Sequence, residues 1–214
     1  MKKPGTGKRI NAKTQFFRDF LVFFFASLRL CAFAFFSSPA MNDEFRAKAA
    51  GVRMILFDVD GVLPDGTFWR VGEEEVKRFH SRDGVGLVLA RRAGLKLGFI
   101  SGRRSAAVAA RAEELQMSFV RLGTAEKIPA LEEALSQESL AASQVAFMGD
   151  DLPDLPVMRK VGLSATVADA PLEVRSRVDY VTRARGGHGA VRELIEQILM
   201  AQGRFDDLVK TFLE

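Results

Sequence analysis

The sequence predicts an α/β fold: a Rossmann-like parallel sheet flanked by helices, with a β-hairpin protruding as a flap and no cap domain. Three observations carry this expectation. From Arg53 onward short apolar runs alternate with helical stretches, the pattern of strands buried on both faces and joined by crossover helices. Polar residues of catalytic type directly follow several of those runs. The stretches between them, 61–100 and 128–149, are already used by a hairpin, helices and a strand, and leave no room for a second folded unit.

Strands are expected at 53–58 (RMILFD), 96–101 (KLGFIS), 118–121 (SFVR), 144–149 (QVAFMG), 163–167 (LSATV) and 178–182 (VDYVT). Helices fill the gaps at 84–93, 104–116, 125–136, 153–160, 171–176 and 189–201, several of them entered through Ser, Asp, Gly or Pro residues that suit a first turn. Between the first strand and the first of these helices lies GTFWRVGEEEVKRFH, two short strand-like pieces around Val71 and Gly72, which reads as the hairpin. MNDEFRAKAAGVRM, starting at Met41, reads as a lead-in helix.

The formal charge of +4 points to an anionic partner only if it is spread over the domain, and it is not. Residues 1–40 hold Lys2, Lys3, Lys8, Arg9, Lys13, Arg18 and Arg29 against Asp19 alone, which leaves 24 basic and 26 acidic residues in the rest, a net −2. A mildly acidic body argues against nucleic-acid binding. The single cysteine, Cys31, allows no intramolecular disulfide and fits a reducing, cytoplasmic setting.

Half of the eighteen Phe residues also fall in that N-terminal segment, in FFRDFLVFFFASLRLCAFAFF. Basic residues, an apolar stretch and small residues at 37–40 imitate a secretory signal, but Arg29 splits the apolar stretch, and its longest charge-free piece, 20–28, is too short to span a bilayer. Three readings stand: a targeting or membrane-contact segment, a folded part of the domain, or an upstream read-through with translation starting at Met41. The last is the working expectation, with residues 41–214 as one domain and no stable membrane partner.

In an open α/β sheet the ligand sits outside the carboxyl ends of the strands. The first strand ends in Asp58-Val59-Asp60-Gly61, the second in Ser101-Gly102-Arg103, and the fourth in Gly149-Asp150-Asp151 with Asp154 following; the helix after the third carries Lys127. Singly, each reads as a helix cap, a turn residue or a solvated charge. Together, an acidic pair, a hydroxyl, a lysine and a second acidic pair arriving in order form a specific signal. Carboxylates gathered at one rim repel one another unless a cation lies among them, and oxygen ligands of this kind suit Mg²⁺.

That order, with the strings FDVDGVLPDG, ISGR and GDDLPD, resembles the haloacid dehalogenase superfamily of aspartate-nucleophile phosphohydrolases. FHSRDG at 79–84, VADAP at 167–171, DYVTR at 179–183, GGHGAVRE at 186–193 and AQG at 201–203 extend the likeness. Over roughly residues 50–204 the chain is similar to the 3-deoxy-D-manno-octulosonate 8-phosphate phosphatase family of that superfamily, which acts in lipopolysaccharide precursor synthesis.

The resemblance implies a set of roles. Asp58 would be the nucleophile and Asp60 the general acid and base, with Ser101 and Lys127 holding the transferring oxygens. Mg²⁺ would be held by Asp58, the backbone carbonyl of Asp60 and Asp150, while Asp151 and Asp154 orient Lys127 and bound water. Substrate contacts would come from Asp60, His80, Ser81, Arg82, Asp83, Gly84, Arg103, Arg111 and Lys127. Arg103 suits a sugar carboxylate, which its guanidinium can meet bidentately, and sialic-acid-type relatives tend to carry Glu there. Val88 and Pro64 depart from the Arg and the Ser or Thr commoner in the family.

A capless member of this kind has its site closed by a neighbouring subunit, so a homotetramer is implied, with GGHGA as a glycine-containing tail reaching the adjacent site. Phe68, Trp69, Val76 and Phe79 on the hairpin would bury against neighbouring copies. The alternatives are another nonulosonate or sugar phosphate as substrate, or a macromolecular phosphate.

Overall fold

The computed structural model describes residues 43–213, so the expectation for residues 1–40 lies outside the described residues. The lead-in helix α1 (Asp43–Ala50) delivers the chain to β1 (Met54–Phe57), every residue of which is buried. The hairpin follows as β2 (Trp69–Val71) and β3 (Glu74–Val76), antiparallel and separate from the main sheet. Next come α2 (Ser81–Arg92), β4 (Lys96–Ser101), α3 (Ala106–Glu114), β5 (Phe119–Leu122) and α4 (Lys127–Glu138). The second half runs through β6 (Val145–Gly149), the short α5 (Leu155–Met158), β7 (Leu163–Thr166), α6 (Leu172–Arg175) and β8 (Tyr180–Val181). It closes with α7 (Ala190–Ala201) and α8 (Phe205–Lys210).

The six-stranded sheet has the order β5-β4-β1-β6-β7-β8, and every neighbouring pair is parallel. The unbroken apolar runs of β1, β4 and β6 make sense only if both faces are covered, and all but Lys96 in these three strands are buried. Phe57 and Phe99 meet edge to face on adjacent strands, with ring centroids 6.5 Å apart. From β1 the chain first builds outward through β4 and β5, then returns to β6 on the other side. That reversal opens a crevice at the carboxyl end of β1, and it fixes where a site can form.

Helix α2 starts at Ser81, three residues earlier than the sequence suggests, and Gly84 lies within it. Helix α7, apolar along one stripe, packs on α2 and α1, with Val191, Leu194, Ile195, Ile198 and Leu199 buried. It begins at Gly189 without a capping side chain of its own. Asp83, two residues into α2, supplies the missing acceptor: its carboxylate takes the N–H of Gly189 at 3.2 Å and of Arg192 at 2.8 Å. Burial pushes the Asp83 carboxyl above its ordinary range, against the pull of those N–H groups. With both oxygens taken and 1% exposure in the single chain, Asp83 has a structural task beside its expected place among the substrate contacts.

GGHGA is likewise placed by the fold. Gly187 donates its N–H to the Val62 carbonyl at 2.9 Å and Gly186 donates to Asp169 at 3.1 Å. The glycine run is therefore a turn seated on the loop after β1 of its own chain, immediately before α7. Nothing larger than a backbone fits there, because a Cβ on Gly186 would lie 1.8 Å from the Gly61 carbonyl oxygen. Helix α8 had no clear sequence signal: six residues with Asp206 and Asp207 opening it and no buried side chain. Among the described residues no helix is long and apolar enough to cross a membrane.

Asp83→Ala should leave two N–H groups at the start of α7 without acceptors and lower the unfolding free energy by about 2 kcal/mol. A urea titration reads this directly, and an unchanged midpoint would show that α7 does not depend on the cap.

Candidate active site

β4, β1 and β6 lie side by side, so Ser101, Asp58 and Asp150 arrive together at one edge. Lys127 opens α4 and points its ammonium into the same crevice, donating to Asp58 Oδ1 and to Asp154 Oδ1, each at 2.6 Å. Asp154 Oδ2 accepts from the backbone N–H groups of Asp150 (3.0 Å) and Asp151 (3.2 Å), which fixes the loop that presents Asp150. The turn after Asp58 needs a glycine: Gly61 has φ +87°, and a Cβ there would lie 2.0 Å from Asp150 Oδ2. Asp58, Ser101, Lys127, Asp150 and Asp154, with Asp60, Gly102 and Arg103, line a cleft of about 480 Å³.

The electrostatics are crowded. Asp58 is pushed up to about 6 by burial and then by Asp154, with Lys127 pulling the other way. Asp150 is pushed up to about 8 by burial, by Asp58 and by Asp154. Burial alone would lower the Lys127 ammonium, yet Asp58 and Asp154 outweigh it and hold the group above its ordinary range. One lysine does not balance this many buried carboxylates. Oxygens of Asp58, Asp150 and Asp154 all fall within 4.8 Å of one another, a donor set of hard oxygens that fits a small divalent cation. Asp154 is already engaged by Lys127 and two N–H groups, so Asp58 and Asp150 are the freer donors.

A model of haloacid dehalogenase-like hydrolases matches residues 120–194. The chain is 43% identical over 168 residues, 78% of its length and 89% of the relative's, to the 3-deoxy-D-manno-octulosonate 8-phosphate phosphatase of Escherichia coli strain B. The chain belongs to the 3-deoxy-D-manno-octulosonate 8-phosphate phosphatase family. Two solved structures of phosphatases with that name agree with its fold. The one from Yersinia pestis has a TM-score of 0.75 at 39% identity, covering 77% of this chain and 89% of that one. The one from Moraxella catarrhalis, in complex with a magnesium ion, a phosphate ion and a KDO molecule, has a TM-score of 0.78 at 39% identity, covering 80% and 99%.

Within this phosphatase the remaining expected site residues divide into two groups. Asp60 and Arg103 belong to the cleft, where Arg103 Nε stands 3.7 Å from Asp60 Oδ2. Ser81, Gly84 and Arg111 line a second cavity of about 510 Å³ behind the hairpin, together with Phe79, Val88 and Phe212. Arg111 there pairs with Glu114 at 2.7 Å and stands over the Phe79 ring at 5.7 Å. Arg82 is exposed at the start of α2, and His80 has its Nδ1 buried without a hydrogen-bond partner, 3.9 Å from Asp83. Within one chain this second group does not reach the cleft.

Sequence reasoning missed two cleft-side residues, Glu75 and Lys77. In EEEVKR neither was singled out, yet the Lys77 side chain has no exposure at all. Burial pushes Glu75 up, but hydrogen bonds from Arg103 and Lys77 hold its carboxyl below the ordinary range. Opposite charges two apart on a strand share one face, and that spacing was the available signal.

The raised Asp150 carries a linkage consequence. Between about pH 4, its ordinary range, and about pH 8 the folded cation-free chain keeps a proton that the unfolded chain has lost, so stability falls as pH rises through that window. A divalent cation takes the place of that proton, and its stabilisation should therefore be larger above about pH 8 than near pH 6. Thermal unfolding with Mg²⁺ and with EDTA at both pH values measures it; an equal shift at both would remove Asp150 from cation binding.

Proposed function

We propose that this chain hydrolyses 3-deoxy-D-manno-octulosonate 8-phosphate to 3-deoxy-D-manno-octulosonate and phosphate, with Mg²⁺ as cofactor, as a step in lipopolysaccharide precursor synthesis. The observation that carries the reading is the cleft itself: a buried aspartate, a buried lysine, a hydroxyl and a second aspartate at the switch point, with Arg103 at its mouth. The bound magnesium, phosphate and KDO of the Moraxella catarrhalis relative support the substrate and the metal.

Asp58 attacks phosphorus in line, so that a P–O bond to its carboxylate forms as the bond to the sugar oxygen breaks. Asp60 gives its proton to the departing oxygen, then takes one from the water that cleaves the aspartyl-phosphate. Ser101 and Lys127 hold the phosphoryl oxygens, and Lys127 also fixes Asp58 through the 2.6 Å hydrogen bond. Mg²⁺, held by Asp58, the Asp60 carbonyl and Asp150, supplies the positive charge that lets a carboxylate approach a phosphate dianion. Arg103 receives the sugar carboxylate. Asp154 orients Lys127 and the loop carrying Asp150.

Asp58→Asn should keep the fold and lose turnover by at least about a thousandfold, since an amide cannot form the acyl-phosphate. Phosphate release from the sugar-acid phosphate and from a phosphopeptide panel, each with and without EDTA, tests the activity. Preference for the peptides, or indifference to EDTA, would sink the reading.

A homotetramer completes the proposal, in a reducing cytoplasmic setting. Hairpin side chains support it: Trp69 is 54% and Val71 69% exposed on the single chain, too much apolar surface for two three-residue strands to leave in water. Phe68 has a partner already, since Arg103 lies 4.3 Å over its ring. Neighbouring hairpins would bring the Arg111 cavity and an adjacent cleft together, which supports His80, Ser81, Arg82, Gly84 and Arg111 as shared substrate contacts. Trp69→Glu should dissociate the assembly in light scattering and raise KM for the sugar phosphate while sparing a small generic phosphate ester. A dissociated variant that keeps its selectivity would count against a shared site.

A further inference from the structure

β3 reaches over the cleft and places two charges where solvent-exposed hairpins do not need them. Glu75 lies in β3 and Lys77 directly follows its last residue, Val76, two positions on, the spacing that returns an extended chain to the same side. A fully buried lysine is rare and costly unless its ammonium is paired, and this one is held between two carboxylates. Its Nζ donates to Asp60 Oδ1 and lies 3.1 Å from Glu75 Oε1. Glu75 Oε2 in turn accepts from Arg103 Nη2 at 2.5 Å, and Arg103 Nε returns to Asp60 Oδ2 at 3.7 Å. The four side chains close a ring of alternating charge over the cleft.

Within that ring the two oxygens of Asp60 differ. Oδ1 is clamped by Lys77, whereas Oδ2 is buried and has no hydrogen-bond partner. A carboxyl that must pass a proton to one leaving oxygen needs one oxygen fixed and the other unbonded; Oδ2 is covered, with Arg103 Nε 3.7 Å away, and is reached as Arg103 turns to the sugar carboxylate. We propose that Lys77 is a positioning residue for Asp60, holding the carboxyl in the orientation that presents Oδ2 to the leaving oxygen, with Glu75 keeping Lys77 in place. The proposal rests on the reading of Asp60 as general acid. It makes the hairpin part of the proton-transfer apparatus of its own chain, apart from any role between subunits. The bonds made and broken are those already given; Lys77 keeps all its protons and contributes none.

Leaving-group dependence of the first step, read as alcohol release in a single turnover before the shared hydrolysis of the aspartyl-phosphate, tests this, because a general acid matters for a departing sugar alkoxide and hardly for p-nitrophenolate, which leaves as a stable anion. Lys77→Met should lower the single-turnover rate of alcohol release from the sugar phosphate by about a hundredfold and from p-nitrophenyl phosphate by less than about fivefold, with KM for the sugar phosphate little changed. Lys77→Arg should recover part of the loss. Since Lys77→Met leaves Glu75 and Asp60 facing each other unbalanced, the pair Glu75→Gln with Lys77→Met serves as the second variant and should show the same split. Added to Asp60→Asn, Lys77→Met should cost nothing further on the sugar phosphate. Equal losses on both esters, or an additive loss in the Asp60→Asn background, would reduce Lys77 to a structural anchor while the phosphatase reading stands. If Asp60→Asn itself weakened both esters alike, the acid role and the proposal would fall together, while EDTA-sensitive phosphate release would still hold.

Discussion

Everything at the carboxyl edge of this sheet answers to one constraint: more carboxylates share a small volume than the lysines beside them can balance. Two like charges about 4 Å apart repel by about 4 kcal/mol at the effective dielectric of a protein surface, and more as water is removed. The fold lowers that cost by giving each carboxylate a different partner. Asp58 has the Lys127 ammonium, Asp154 has the same ammonium and two backbone N–H groups, and Asp60 has Lys77. Asp150 is left with the least, and it is the carboxyl pushed furthest from its ordinary range. The imbalance that would destabilise an ordinary core is thus concentrated at the one residue whose charge a divalent cation can meet.

This arrangement also explains why the chain reversal matters as much as the residues. A sheet with β6 on the same side as β4 and β5 would separate Asp150 from Asp58 by intervening strands. Only the order β5-β4-β1-β6 puts the nucleophile strand between the hydroxyl strand and the metal-side strand. The catalytic residue types come from local sequence, while their meeting is a property of topology.

Much of this was legible in the sequence because the relevant signals are local. Buried parallel strands show as continuous apolar runs, and six of them were placed within a residue or two of the observed strands. The grouping of Asp58, Asp60, Ser101, Arg103, Lys127 and Asp150 in one cleft followed from their position after those runs. What the sequence hid depended on long-range contacts. Asp83 sits in a string that resembles a substrate motif, but its partners are N–H groups more than a hundred residues away, which no local pattern reveals. Lys77 was hidden by its setting in a run of charges, where burial depends on how the hairpin folds over the cleft. Asp65 pairs with Arg78 at 2.9 Å across the base of that hairpin, another contact decided by the fold of the loop.

The seat that Gly186 and Gly187 provide for the loop after β1 has a consequence in time. Asp58 is among the first residues of the domain to be made, yet the turn that follows it rests on backbone supplied well over a hundred residues later. The Val62 carbonyl has no Gly187 N–H to meet until nearly the whole domain has left the ribosome. Closing so long a loop is entropically expensive and comes late in folding. A chain cut short before residue 186 can carry every carboxylate of the cleft and still lack the surface against which the nucleophile loop is held. The fold thereby ties the readiness of its earliest chemistry to the completion of its last third.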